Sequence, residues 1–293
     1  MVLVDAFGVS PLKKIRTART RRRDAWHDSD MSTFGQFFVV IVLLAALTGA
    51  ARADKVGTEV PVVVPYRPSV STPAALSAPG WLETEVGLLA SEGGDPERRE
   101  AVPYTFKYAF SPDWGIRLAG EALVRGYDPD GRRTVGLGDT SLVLKSQLPV
   151  NDRSAFGLEL GVGAATAPPG LNSGSGKTDY SLNGIYSADF GSAYHVDINY
   201  AVTRLGAIGP ADGRLQGLWA AALSKAFNQR WGVVGELSGT HQSGVERTAQ
   251  CLVAASLTPA NKISWDFGVA RGLTAATSSW SLFAGATFLS RLP

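Results

Sequence analysis

Residues 194–203 read Tyr194-His195-Val196-Asp197-Ile198-Asn199-Tyr200-Ala201-Val202-Thr203. Tyr194, Val196, Ile198, Tyr200 and Val202 share one face. His195, Asp197, Asn199 and Thr203 share the other. A period of two is the signature of a strand with one apolar and one polar side. The pattern recurs on both sides of this stretch. Residues 180–190 set Tyr180, Leu182, Tyr186, Ala188 and Phe190 against Ser181, Asn183, Ser187 and Asp189. Residues 102–110 align Val102, Tyr104, Phe106, Tyr108 and Phe110. In 114–125, Trp114, Ile116, Leu118, Ala122 and Val124 oppose Arg117, Glu121 and Arg125. Ile263, Trp265, Phe267 and Val269 repeat the theme near the end. The spacing predicts about twelve strands: 81–90, 101–110, 114–125, 135–148, 154–165, 178–189, 193–203, 213–226, 231–241, 248–257, 263–273 and 280–291. Each is about ten residues long, the length a tilted strand needs to cross a bilayer.

The connections alternate too. Ser111-Pro112-Asp113, 149–153, Gly191-Ser192, Asn228-Gln229-Arg230 and 258–262 are short. The set 91–100, 126–134, 166–177, 204–212, 242–247 and 274–279 is longer and richer in Gly and polar residues. Short periplasmic turns and longer outer loops are the habit of outer-membrane barrels. Trp114, Trp231, Phe110, Phe190 and Phe227 flank the short turns, and Tyr180 and Trp280 mark the opposite strand ends. Aromatic girdles at two interfaces give this placement. The expected fold is all-β: a transmembrane antiparallel up-and-down barrel over residues 81–293. A soluble sandwich would also alternate, but its solvent face would need more charge than these strands carry.

The segment before the barrel divides in two. Residues 37–47 are eleven unbroken apolar residues, followed by Ala51-Arg52-Ala53. Basic residues precede them, and Met31 offers a second start. Residues 1–53 therefore read as an N-terminal extension and secretory signal peptide cut after Ala53. Residues 54–80 hold Pro61, Pro65, Pro68, Pro73 and Pro79. That density excludes helix and central strand, and reads as an extended periplasmic segment.

Composition closes off other classes. The chain has 293 residues, 28 Lys+Arg, 26 Asp+Glu, one cysteine and three histidines. Disorder, a disulfide framework and a Cys-based zinc site are excluded. Neither a metal nor a cofactor is expected. Eight basic and four acidic residues lie in 1–53, so the remainder has 20 against 22, a net charge of −2 in place of +2. The high count of 33 glycines fits tight turns in a charge-poor barrel.

Gly136-Leu137-Gly138-Asp139-Thr140-Ser141-Leu142-Val143-Leu144-Lys145 resembles a segment of the meta-pathway phenol-degradation family of outer-membrane proteins. The likeness continues in Trp265-Asp266-Phe267-Gly268-Val269-Ala270-Arg271-Gly272-Leu273 and in the strand Trp280–Phe288. It covers roughly residues 81–291. The resemblance implies a Gram-negative outer-membrane barrel that passes aromatic or other small hydrophobic compounds, with no catalytic residues to carry over. The chain departs from the family in ending Arg291-Leu292-Pro293 in place of an aromatic residue. The expected partners are outer-membrane lipid, a small-molecule solute and the barrel-assembly machinery, without nucleic acid.

Parity assigns an inward set. Its acids are Glu83, Glu85, Glu121, Asp139, Glu159, Asp179, Asp189, Asp197, Glu236 and Asp266. Its bases are Lys107, Arg117, Arg125, Lys145 and Arg214, with His195 near neutral. On the lipid face an Arg or Lys would cost roughly 2–4 kcal/mol at mid-bilayer, which places such charges in the lumen. Mixed charge with an acidic excess predicts a narrow, weakly cation-preferring pore or a salt-bridged plug.

One pair has catalytic form. His241-Gln242-Ser243 places an H-x-S pair at the outer end of a strand, as in outer-membrane lipid hydrolases. Catalysis would need the two side chains in hydrogen-bond reach and an orienting third group. The stretch Gly170–Lys177 has neither the register nor the context of a phosphate-binding loop. Cys251 falls on an apolar face as a small hydrophobe.

Overall fold

The computed structural model describes residues 61–94, 96–168 and 174–291. The expected signal peptide, its cleavage point and residues 54–60 lie outside them. Thirteen strands form: β1 (Trp81–Glu92), β2 (Arg98–Ala109), β3 (Trp114–Tyr127), β4 (Arg133–Gly136), β5 (Thr140–Asn151), β6 (Ser154–Ala164), β7 (Asp179–Phe190), β8 (Tyr194–Arg204), β9 (Leu215–Ala226), β10 (Trp231–Gln242), β11 (Val245–Ala260), β12 (Ile263–Gly272) and β13 (Trp280–Arg291). Sequence neighbours pair antiparallel, except that β4 and β5 both pair with β3, and β1 pairs with β13 to close the sheet. The long-loop half of β3 pairs with β4 and the short-turn half with β5. These two short partners share one position in the wall. The barrel therefore has twelve positions, as the alternation predicts.

The strand expected at 135–148 is broken at Leu137–Asp139. Two glycines flank Leu137, and the Gly138 N–H keeps a bond to the Glu121 carbonyl at 2.9 Å. Between β10 and β11 the chain reverses through Ser243-Gly244, with Gln242 paired to Val245. Gly244 has φ of 81°, which suits so tight a turn to glycine.

Burial is inverted relative to a soluble protein. Leu88, Leu282 and Val253 are each more than 60% exposed, whereas Glu83, Glu85, Lys107 and Lys145 are at most 2% exposed. Apolar side chains face outward and charged ones inward, the distribution a bilayer imposes on a closed sheet.

Residues 61–80 do not trail away as a periplasmic tail. They are extended, as proline density requires, but they lie inside the barrel. Val63, Tyr66, Val70, Ser71, Thr72, Ala74 and Ser77 are all buried. The Val63 N–H bonds the carbonyl of Asn261 in a short turn, and the Gly80 N–H bonds that of Ala109 beside another. The segment thus rises from the short-turn end, bends near Pro68-Ser69, and returns to that end to start β1. An extended chain without ladder partners must satisfy its N–H groups otherwise, and the wall supplies the acceptors.

Candidate functional site

The lumen is built around this loop, and wall carboxylates grip its backbone. Glu83 accepts the Val64 N–H at 3.1 Å. Glu85 accepts Tyr66 at 2.8 Å and Arg67 at 3.3 Å. Glu236 accepts Val70 at 3.1 Å, Ser71 at 2.8 Å and the Ser71 hydroxyl at 2.8 Å. Neutral acceptors continue the hold: Asn199 Oδ1 for Thr72, Ser187 Oγ for Ala74 and Gln147 Oε1 for Leu76. Two lysines bind carbonyls. Lys107 Nζ donates to Val64 O and Lys145 Nζ to Pro73 O, each at 2.5 Å.

Tyr66 sits at the centre of the charged half. Lys107 and Lys145 lie 3.7 and 4.2 Å from its ring centroid, and Arg117 lies 5.6 Å away. A ring face attracts cations in this way. Lys107 also pairs with Glu83 and Glu85, and Glu159 takes Arg117 at 3.3 Å and Lys145 at 3.4 Å. The Tyr66 hydroxyl receives Lys145 Nζ at 2.7 Å and donates to Ala75 O. Burial, and then the charge of Glu159, push this hydroxyl well above its usual pKa, so it remains a donor.

Arg67, at the bend, forms a two-point pair with Asp266 at 3.3 Å on each side and donates to Ala284 O. Its guanidinium occupies the space that a Cβ at Gly87 or Gly285 would fill. These two glycines, on β1 and β13, form its seat.

Two spaces flank the bend. Above it lies a cavity of about 110 Å³ bordered by Leu89, Tyr104, Val143, Val162 and Phe283 together with Arg117, Glu159 and Asp179. Below it, a vestibule of about 780 Å³ opens among the short turns beside Asp189, His195 and Lys225. Tyr66, Arg67, Pro68 and Ser69 border both spaces. The bend is the partition between them.

The structure brings together Lys107, Arg117, Lys145, Glu159, Glu236 and Asp266 as contacts of the loop or of its holders. Glu121 faces inward and pairs with Arg99 at 2.6 Å, a base that parity had not assigned. Asp179 is buried and accepts the Gly206 N–H. His195 bridges Asp189 and Asp197 at the vestibule, at 2.6 and 3.0 Å.

Three residues of the expected inward set lie elsewhere. Arg125 points outward, because β3 carries an extra residue, Ala122, opposite the Val102–Pro103 step of β2. Such a bulge reverses parity beyond it, burying Val124 and turning Arg125 toward Glu100 at 3.7 Å. Arg214 is exposed in the loop before β9. Asp139 lies in the β4–β5 break, where it accepts the N–H groups of Ala167 and Ser175 and holds a long loop.

The expected catalytic pair is not assembled. His241 faces outward and its Nε2 meets Tyr200 Oη at 3.3 Å. Among the described residues no hydrogen bond joins it to Ser243, which lies in the β10–β11 turn. An apolar lining was also missed. Leu89, Ala101, Val124, Ala220, Ala222, Val234, Leu252, Ala254, Ala270 and Phe283 form one buried cluster with Val70 of the loop. Apart from Val124, beyond the β3 bulge, these wall residues share the inward parity of the buried polar ones on their strands.

No family model matches the chain, and no curated protein matches it. Solved structures do. An outer-membrane channel from Pseudomonas putida F1 aligns at 12% identity with a TM-score of 0.61, covering 74% of this chain and 97% of that one. The KdgM porin aligns at 10% identity with a TM-score of 0.50, covering 70% and 98%. At such identities the likeness establishes the fold alone, a closed antiparallel β-barrel of the outer-membrane kind.

Proposed function

We propose that this chain is an outer-membrane barrel passing small aromatic or hydrophobic solutes passively, with residues 61–80 as its internal barrier. The observation that carries this reading is the pair of lumenal spaces that meet the same bend, Tyr66–Ser69, on its two sides. The apolar cluster and the aromatic border of the upper space favour an apolar solute over a sugar. The neighbour from Pseudomonas putida F1, described as an outer-membrane channel, supports a channel role. The upper space measures about 110 Å³. A cavity of about 150 Å³ accommodates benzene, so a single-ring solute requires the bend to yield.

Liposomes containing refolded protein test the proposal. Uptake of a neutral single-ring phenol or alcohol should exceed both protein-free leakage and the uptake of a neutral hexose. Equal rates with and without protein would reduce the molecule to a closed structural barrel.

A further inference from the structure

The parity reversal in β3 has a consequence on the outer surface. At the long-loop end, directly paired residues share a face. The outward row runs Arg271, Trp280, Glu92, Arg98, Tyr127 and Arg133 across β12, β13, β1, β2, β3 and β4. Arg271 stacks on Trp280 at 4.5 Å and Arg98 on Tyr127 at 5.6 Å, which sets the row at the aromatic girdle. One step toward the bilayer centre lie Ala90, Glu100 and Arg125. A charged pair on the lipid side of the girdle is costly unless something there answers it.

Glu100 is shared. It takes Arg98 at 2.6 Å and Arg125 at 3.7 Å, and Arg125 Nε has no hydrogen-bond partner. The outward rows of these strands carry four guanidinium groups against the carboxylates of Glu92 and Glu100. The adjoining loops add Glu97, Asp128, Asp130 and Arg132 above the girdle. Arg98, Arg125 and Arg133 stand on three adjacent strands, each roughly 4.8 Å from the next. This row is wider than a single phosphate. From Arg125 an apolar groove of about 780 Å³ descends between Leu88, Val102, Leu123, Phe267 and Leu282, past the small outward side chains of Ala90 and Ala284.

A cationic row at headgroup level above an apolar groove fits a lipid with more than one phosphate and acyl chains. We propose that this face binds a diphosphorylated glycolipid of the outer leaflet, its phosphates on Arg98, Arg125 and Arg133 and one acyl chain in the groove. The proposal rests on the outer-membrane reading, which sets the long-loop end in that leaflet, but it is independent of solute passage.

Native mass spectrometry of the refolded barrel with diphosphoryl lipid A tests it, with heat-modifiable gel mobility certifying the fold of every sample. Wild type should retain one lipid A molecule. The Arg98→Ala/Arg125→Ala double variant should retain it roughly tenfold less, as expected for lost charge-assisted bonds. Ala284→Trp, which fills the groove and leaves the arginines, should weaken it too. In wild type, lipid A stripped of its phosphates should bind more weakly than the diphosphorylated form. Undiminished retention by the folded double variant would overturn the site. So would equal binding of the dephosphorylated lipid, and equal binding of phosphatidylglycerol would overturn the glycolipid assignment. An absence of the protein from outer-membrane fractions would instead count against the reading beneath it.

Discussion

Glu236 illustrates how single residues hold the barrier. Its carboxylate serves two loop N–H groups and one hydroxyl, all buried. Removing it strands three donors, each at a cost of about 1–3 kcal/mol when unmatched. In Glu236→Ala, amide exchange at Val70 and Ser71 should therefore accelerate at least about tenfold. Unchanged protection would mean that the carboxylate does not hold the loop. Arg67 allows a subtler test. Gly87→Ala removes no charge, yet its methyl group occupies the guanidinium seat. It should displace Arg67 from Asp266 and raise solute flux through the barrel, whereas flux at the wild-type level would show that the seat does not control the bend. The inward charges were largely legible in the sequence, since parity identifies them strand by strand. Their task was not. An excess of acids in a lumen is ambiguous until one asks which donors they serve. Here the donors are backbone N–H groups of a segment whose sequence carries a single charged side chain, Arg67.

At the scale of elements, alternation read the barrel well because period two survives wherever strands are regular. It failed where a strand is not regular. Pro103 lacks an N–H and sits opposite the β3 bulge. A proline inside an otherwise alternating run is the available signal, and it leaves the parity of 124–127 open. The reversal makes a direct prediction. A fluorophore on Arg125→Cys should be quenched by brominated lipid, while one on Val124→Cys should not. The opposite ranking would restore the uninterrupted parity. The β4–β5 break was equally hidden, because Gly136-Leu137-Gly138 continues the alternation in sequence while the backbone leaves the ladder.

For the molecule as a whole, the barrel and its inside-out surface followed from the strands, but the filling of its lumen did not. Proline density reports what residues 61–80 cannot form; it says nothing of where an extended chain lies. Its partners are up to 217 residues away in sequence, as with Arg67 and Ala284. In the proposed function this loop is the barrier of a conducting barrel. Planar-bilayer recording of wild type beside a variant lacking residues 61–76 tests that most directly. Wild type should give small or rare current steps and the shortened chain much larger, sustained ones. A shortened chain that folds, inserts and conducts no better than wild type would contradict it.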